Sequence, residues 1–77
     1  MGITYTHHAK QRMIQRKVST EQVAETLASP DDVILGKEGE TIAIKRFGAR
    51  EVRVVYQKVD ADSFVIYTVM KPRVHND

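Results

Sequence analysis

Between His7 and Arg16 the apolar positions are few and regularly placed: Ala9 and Met13 recur four residues apart among histidine, lysine, glutamine and arginine. That spacing predicts a helix with a narrow apolar stripe, and Thr6 stands where it can cap the N-terminus. Lys17-Val18 breaks the pattern. Ser19 with Gln22 three residues on then gives a capping-box signature for a second helix. Its Val23, Ala24, Leu27 and Ala28 recur at helical spacing while Glu21 and Glu25 face away. Ser29-Pro30 stops this helix at about Ala28, because proline disfavours helical geometry in the residue before it.

Beyond the proline the period becomes two. Val33-Ile34-Leu35 reads as a short strand, Gly36-Lys37-Glu38-Gly39 as a turn, and Thr41 to Phe47 as a strand alternating Ile42 and Ile44 against Thr41, Ala43 and Lys45. Gly48-Ala49-Arg50-Glu51 supplies the next turn. Val52 to Val59 sets Val52, Val54 and Tyr56 on one face and Arg53, Val55 and Gln57 on the other, before Asp60-Ala61-Asp62-Ser63 turns the chain into Phe64 to Met70. Connections this short specify antiparallel neighbours. The last strand is apolar on both faces, with Phe64 and Ile66 against Val65, Tyr67 and Val69, so it is expected to be central or covered twice, and Thr68 is its polar exception. Ile3-Thr4-Tyr5 is β-prone and a candidate extra edge strand. The expected fold class is α+β: two N-terminal helices packed on one face of a four-stranded antiparallel sheet, in a single domain over 1–77 without internal repeat or linker.

Composition adds two constraints. Seventy-seven residues, 42% of them hydrophobic, suffice for one core, and a domain of this size buries only about 60% of its unfolded surface. With no cysteine to staple it, oligomerisation is the expected compensation, and a homodimer one expected partner state. No apolar run approaches the roughly 18 residues of a membrane span, so a cytoplasmic protein without membrane contact is expected. Twelve basic residues nearly balance ten acidic ones, but the distribution is uneven. His7, His8, Lys10, Arg12, Arg16 and Lys17 fall within residues 7–17 with no carboxylate among them, which makes a local cationic surface.

At 100° per residue, His8, Arg12 and Arg16 span only about 80° of the first helix, with Ala9 and Met13 on the adjoining arc. The cations therefore lie where core meets solvent, a setting that strengthens charge-assisted bonds to phosphate yet admits a ligand. The competing reading is that these side chains simply lay their stems along the edge of the core.

The run His8-Ala9-x-x-Arg12-Met13-x-x-Arg16-Lys17-Val18-Ser19, followed by a second helix, Ser29-Pro30 and a closing Val65-Ile66-Tyr67-Thr68-Val69, resembles an uncharacterised bacterial domain-of-unknown-function family. That family opens HAxxRMxxRgIs and closes viTv, and the likeness covers nearly the whole chain. It is grouped with the barnase, EndoU, colicin and RelE nuclease fold, many of whose members are metal-independent ribonuclease toxins. The resemblance implies RNA as substrate, an antitoxin protein as partner and no cofactor. Carried over by position, it implies catalytic roles for His8, Arg12 and Thr68. Lys17 stands where the family commonly has glycine.

Metal-free RNA cleavage needs a base for the 2′-hydroxyl proton, an acid for the leaving 5′ oxygen and fixed cations for charge developing on phosphorus. Histidine can take or give a proton near neutrality, which suits His8. Arginine never loses its proton and holds two phosphate oxygens in its planar fork, which suits Arg12 as clamp and Arg16 as a further contact. Arg46, Arg53 and Tyr56 are candidate sheet-borne RNA contacts. Arg53 is favoured over Arg46, which shares the Ile42 and Ile44 register and reads as a strand-end residue reaching solvent. Thr68 orients phosphate or His8 in the same scheme, against the plainer reading of a satisfied β-branched strand residue.

Other chemistries lack their residues: there is no cysteine nucleophile, glycine-rich phosphate loop or serine elbow. His7 and His8 splay about 100° apart on a helix, wrong for a shared metal, and Asp60-x-Asp62 is a common turn composition. His75 belongs to the tail from Pro72 to Asp77, where fraying is the default expectation. Three readings follow: a toxin-type endoribonuclease; a noncatalytic RNA-binding module, since His8 is the one evident proton-transfer group; and an interaction module that dimerises through Ile14 and the second sheet face.

Overall fold

The computed structural model describes residues 2–70, and the tail containing His75 lies outside the described residues. Thr6 caps the first helix, α1 (His7–Arg16), its hydroxyl accepting the Ala9 N–H at 3.1 Å. Lys17 ends α1 in the left-handed region at φ 56° and returns its N–H to Ile14, which turns the chain within two residues. The second helix, α2 (Thr20–Ala28), starts from a complete capping box. The Gln22 N–H donates to the Ser19 hydroxyl and the Ser19 N–H to the Gln22 side chain, both at 3.1 Å.

Five strands make one sheet. They are β1 (Gly2–Tyr5), β2 (Asp32–Leu35), β3 (Thr41–Phe47), β4 (Arg50–Asp60) and β5 (Ser63–Met70), in spatial order β1-β5-β4-β3-β2. The last four form the expected antiparallel meander. The β2–β3 loop places Gly39 at φ 88° beside a Gly39 N–H to Gly36 carbonyl bond, the type I turn and bulge of a three-residue hairpin. Two residues, Gly48 and Ala49, join β3 to β4, and Gly48 takes the positive φ (68°) at their start. β1 enlarges the four-stranded expectation to a five-stranded mixed sheet. It lies parallel to β5, pairing Ile3 with Phe64, and leaves β5 central as expected.

Both helices cover the same sheet face, α1 over β5 and β1, α2 over β4 and β3. The core between them gathers Ala9, Met13, Val18, Val23, Val52, Val54, Ile66 and Val69. Two expectations are corrected here. Val69 was expected opposite Ile66, yet it shares the core with it. Val55 pairs with Thr68 and Tyr56 with Ile66, so Tyr67 is the extra residue of a bulge and the alternation flips beyond it. On α2 the buried stripe takes in Thr26 and leaves Ala28 exposed. Thr26 can be fully buried because its hydroxyl donates to the Gln22 carbonyl at 2.7 Å.

The far face of the sheet carries Ile42 and Ile44 of β3, Arg53 and Val55 of β4, and Thr68 and Met70 of β5, by their cross-strand pairing. Ile44 and Val55 are buried there. The loop ahead of β2 is tied to β3 by the Arg46 N–H donating to Asp31 at 2.7 Å and by the Lys45 ammonium donating to the Ser29 carbonyl at 2.9 Å.

Candidate anion-binding site

The i, i+4 spacing of α1 does bring His8 and Arg12 together. The Arg12 Nε donates to His8 Nε2 at 3.3 Å, and an Arg12 terminal nitrogen donates to the Gln15 side chain at 2.9 Å. In that contact Nε2 is the acceptor and presents its lone pair to Arg12. His8 is exposed and Arg12 half-buried, consistent with a rim position beside buried Ala9 and Met13. Gln15 was not expected at the site. Its signal was its position three residues after Arg12, on the same helical face.

Arg16 completes the arc differently. It is half-buried, and its Nε is sealed from solvent with no hydrogen-bond partner among the described residues. A charged donor held in that state costs free energy unless something else compensates. His7 points elsewhere on the helix and pairs with Gln11 at 3.2 Å.

The remaining sequence candidates are distributed by the sheet. Tyr56 lies on the helix-covered face, against the core, with its ring edge-on to Phe64 at 5.5 Å. Thr68 and Arg53 project from the opposite face, so the β-layer stands between them and α1. Arg53 Nε donates to Glu51 at 2.8 Å, and Arg46 Nε lies 3.8 Å from the same carboxylate. These arginines thus share one acid at the end of the meander. Arg50, across from Phe47 in the tight hairpin, joins Arg46, Gly48, Ala49 and Glu51 around a hollow of about 320 Å³ there. The two-residue turn sets Arg50 opposite Phe47 and Glu51 opposite Arg46, a grouping that follows from hairpin geometry more than from sequence spacing.

A larger hollow, about 400 Å³, lies against α1 on the flank away from His8 and Arg12. It is lined by Tyr5, Lys10, Met13, Ile14, Val18 and Thr20. Burial pushes the Tyr5 phenol above its ordinary value, and Ile14 on the rim is 79% exposed. Among the described residues no group of three or more histidine, cysteine or acidic side chains is placed to hold a metal, and no helix is long and apolar enough to cross a membrane.

The arrangement therefore sets one guanidinium against an imidazole on a helix flank, with Arg16 one turn further along the same arc. No curated protein and no solved structure matches the chain. The sequence pattern of the family described as "Domain of unknown function (DUF4258)" matches residues 5–71, a span that includes both helices, the whole meander and the α1 triad. On that match the chain belongs to the DUF4258 family.

Proposed function

We propose that this chain is a metal-independent endoribonuclease of toxin type that engages the RNA backbone at His8, Arg12 and Arg16. The observation that supports it is the 3.3 Å contact between Arg12 Nε and His8 Nε2, which sets a proton acceptor beside a permanent cation. A phosphodiester drawing the Arg12 fork onto its oxygens releases the Nε2 lone pair. His8 then takes the 2′-hydroxyl proton, the 2′ oxygen attacks phosphorus, and the P–O5′ bond breaks. The products are a 2′,3′-cyclic phosphate and a 5′-hydroxyl, the leaving oxygen taking its proton from solvent. Arg12 and Arg16 hold the charge that builds on the phosphoryl oxygens.

The test is incubation of single-stranded RNA with pure protein in the presence of EDTA, reading product ends for cyclic phosphate. His8→Ala is expected to slow cleavage by about 10² to 10⁴ while sparing binding. Arg12→Ala is expected to weaken both. Intact RNA together with harmless overexpression overturns the proposal.

One observation favours a second reading, noncatalytic RNA binding: among the described residues the side chain bonded to His8 is that of Arg12, which never gives up its proton, and Thr68 lies across the sheet. Salt-sensitive RNA affinity without turnover is its expected outcome.

A further inference from the structure

Strand β2 is an edge of the sheet, and it is apolar where edges are usually guarded. Val33, Ile34 and Leu35 are 54%, 47% and 77% exposed, in a row. The Gly36 N–H bonds to the Glu40 carbonyl, and in the same ladder Ile34 faces Ile42 and Asp32 faces Ile44. Backbone groups alternate along an antiparallel strand, so the N–H and C=O of Val33 and Leu35 point outward, away from β3. Four polar groups and three apolar side chains thus line an open edge.

We propose that the β2 edge pairs antiparallel with β2 of a second copy of this chain about a twofold axis through Ile34, joining two five-stranded sheets into one of ten. The choice of occupant comes from self-complementarity. A twofold axis perpendicular to a sheet keeps each face on its own side, so the pairing must centre on one residue. Centring on Val33 sets Asp31 against Leu35 of the second copy and Asp32 against its Ile34. Centring on Leu35 sets Asp32 against Glu38 of the second copy, two like charges face to face. Centring on Ile34 instead sets Val33 against Leu35 twice over, with Ile34 meeting itself, and brings Asp31, just ahead of one strand, to the end where Lys37, just past the other, enters its turn. In that register the outward groups of Val33 and Leu35 are mutual partners and form four main-chain hydrogen bonds. Asp31 stands just ahead of the strand, its N–H donating to the Ile44 carbonyl and its carboxylate accepting the Arg46 N–H, both at 2.7 Å, so it meets Lys37 of the second copy as a flanking charge and not as a ladder pair. Val33 and Leu35 share the helix-covered face with Ala43 and Thr41, so the new seam continues that apolar layer.

Sedimentation velocity over a concentration series, at low and high salt, tests the pairing. The chain is expected to dimerise, more weakly in high salt. Ile34→Lys sets two cations against each other on the axis and should raise the dissociation constant at least about tenfold, with the far-ultraviolet circular dichroism unchanged. Val33→Pro, which removes one outward N–H and leaves the β3 ladder intact, should do the same. Lys37→Glu alone should weaken the dimer, and mixing it with Asp31→Lys should restore association, because each seam then regains opposite charges. A monomer up to about 1 mM overturns the proposal. So does a dimer that survives Ile34→Lys, or one lost instead on Ile14→Glu, which places the seam on α1.

Discussion

Replacing Arg16 by methionine separates what this side chain does for the fold from what it does for a ligand. Its Nε is sealed from solvent without a partner among the described residues. An unsatisfied buried donor costs about 1 to 3 kcal/mol, and more when charged. Methionine keeps the length and apolar stem of arginine and removes the donor, so Arg16→Met is expected to stabilise the chain by about 1 kcal/mol. In a domain of this size that raises the melting temperature by about 4 to 8 °C. A phosphate bound to the guanidinium would lose a charge-assisted hydrogen bond of about 1.5 to 3 kcal/mol, a fall in RNA affinity of about tenfold to a hundredfold. The plot of log affinity against log salt should also become shallower by about 0.7, the increment for one phosphate contact on a single strand. Urea unfolding and fluorescence anisotropy with a labelled oligonucleotide measure the two effects on the same preparation. A destabilised variant that binds RNA with unchanged affinity and salt slope refutes the reasoning and makes Arg16 a packing stem.

Ile66 is fully buried at the centre of the core, and Ile66→Ala should destabilise the chain by about 2 to 5 kcal/mol in urea unfolding, a large share of what a small domain has. Lys17 holds φ 56°, and Lys17→Gly should stabilise by about 1 kcal/mol, since a side chain in the left-handed region is strained and glycine is not. The Asp60 carboxyl is held below its ordinary range chiefly by the Asp62 N–H and then by the Ser63 side chain. Its support for the β4–β5 turn is therefore present above the ordinary carboxylate range and lost as pH falls through the lowered folded value. An NMR titration of Asp60, whose midpoint should move up toward the ordinary value on Ser63→Ala with Asp62→Pro, checks it.

The helices and their caps were legible because their determinants are local. Thr6, Ser19 with Gln22, and Ser29-Pro30 act within four residues, and α1 ends where it was expected to. The meander was legible for the same reason, its first two turns being marked by Gly36, Gly39 and Gly48 and its third by Asp60 to Ser63, although Arg50 and Glu51, expected in the second turn, already belong to β4. The face of Val69 was not, because a bulge at Tyr67 is set by how β5 meets β4, some ten residues away along the chain. Nor was the parallel placing of β1, which depends on a pairing across sixty residues. At the site, the His8–Arg12 contact follows from helical periodicity alone, and Arg53 was rightly read as facing away from the core. What periodicity could not convey is that facing away from the core also meant standing across the sheet from α1, together with Thr68. The sealed Nε of Arg16 depends on the packing of the finished molecule and has no sequence signal.

The parallel pairing of Gly2–Tyr5 with Ser63–Ile66 bears on when the protein becomes competent during synthesis. Ala9 and Met13 rest on Ile66 and Val69, so α1 has no platform until β5 has left the ribosomal exit tunnel. β1 and α1 precede in the chain the strand they dock on, so until then the histidine and arginines are carried on an unanchored, short helix that is marginal in water by itself. The His8–Arg12 flank thereby gains its fixed platform only once translation has passed β5.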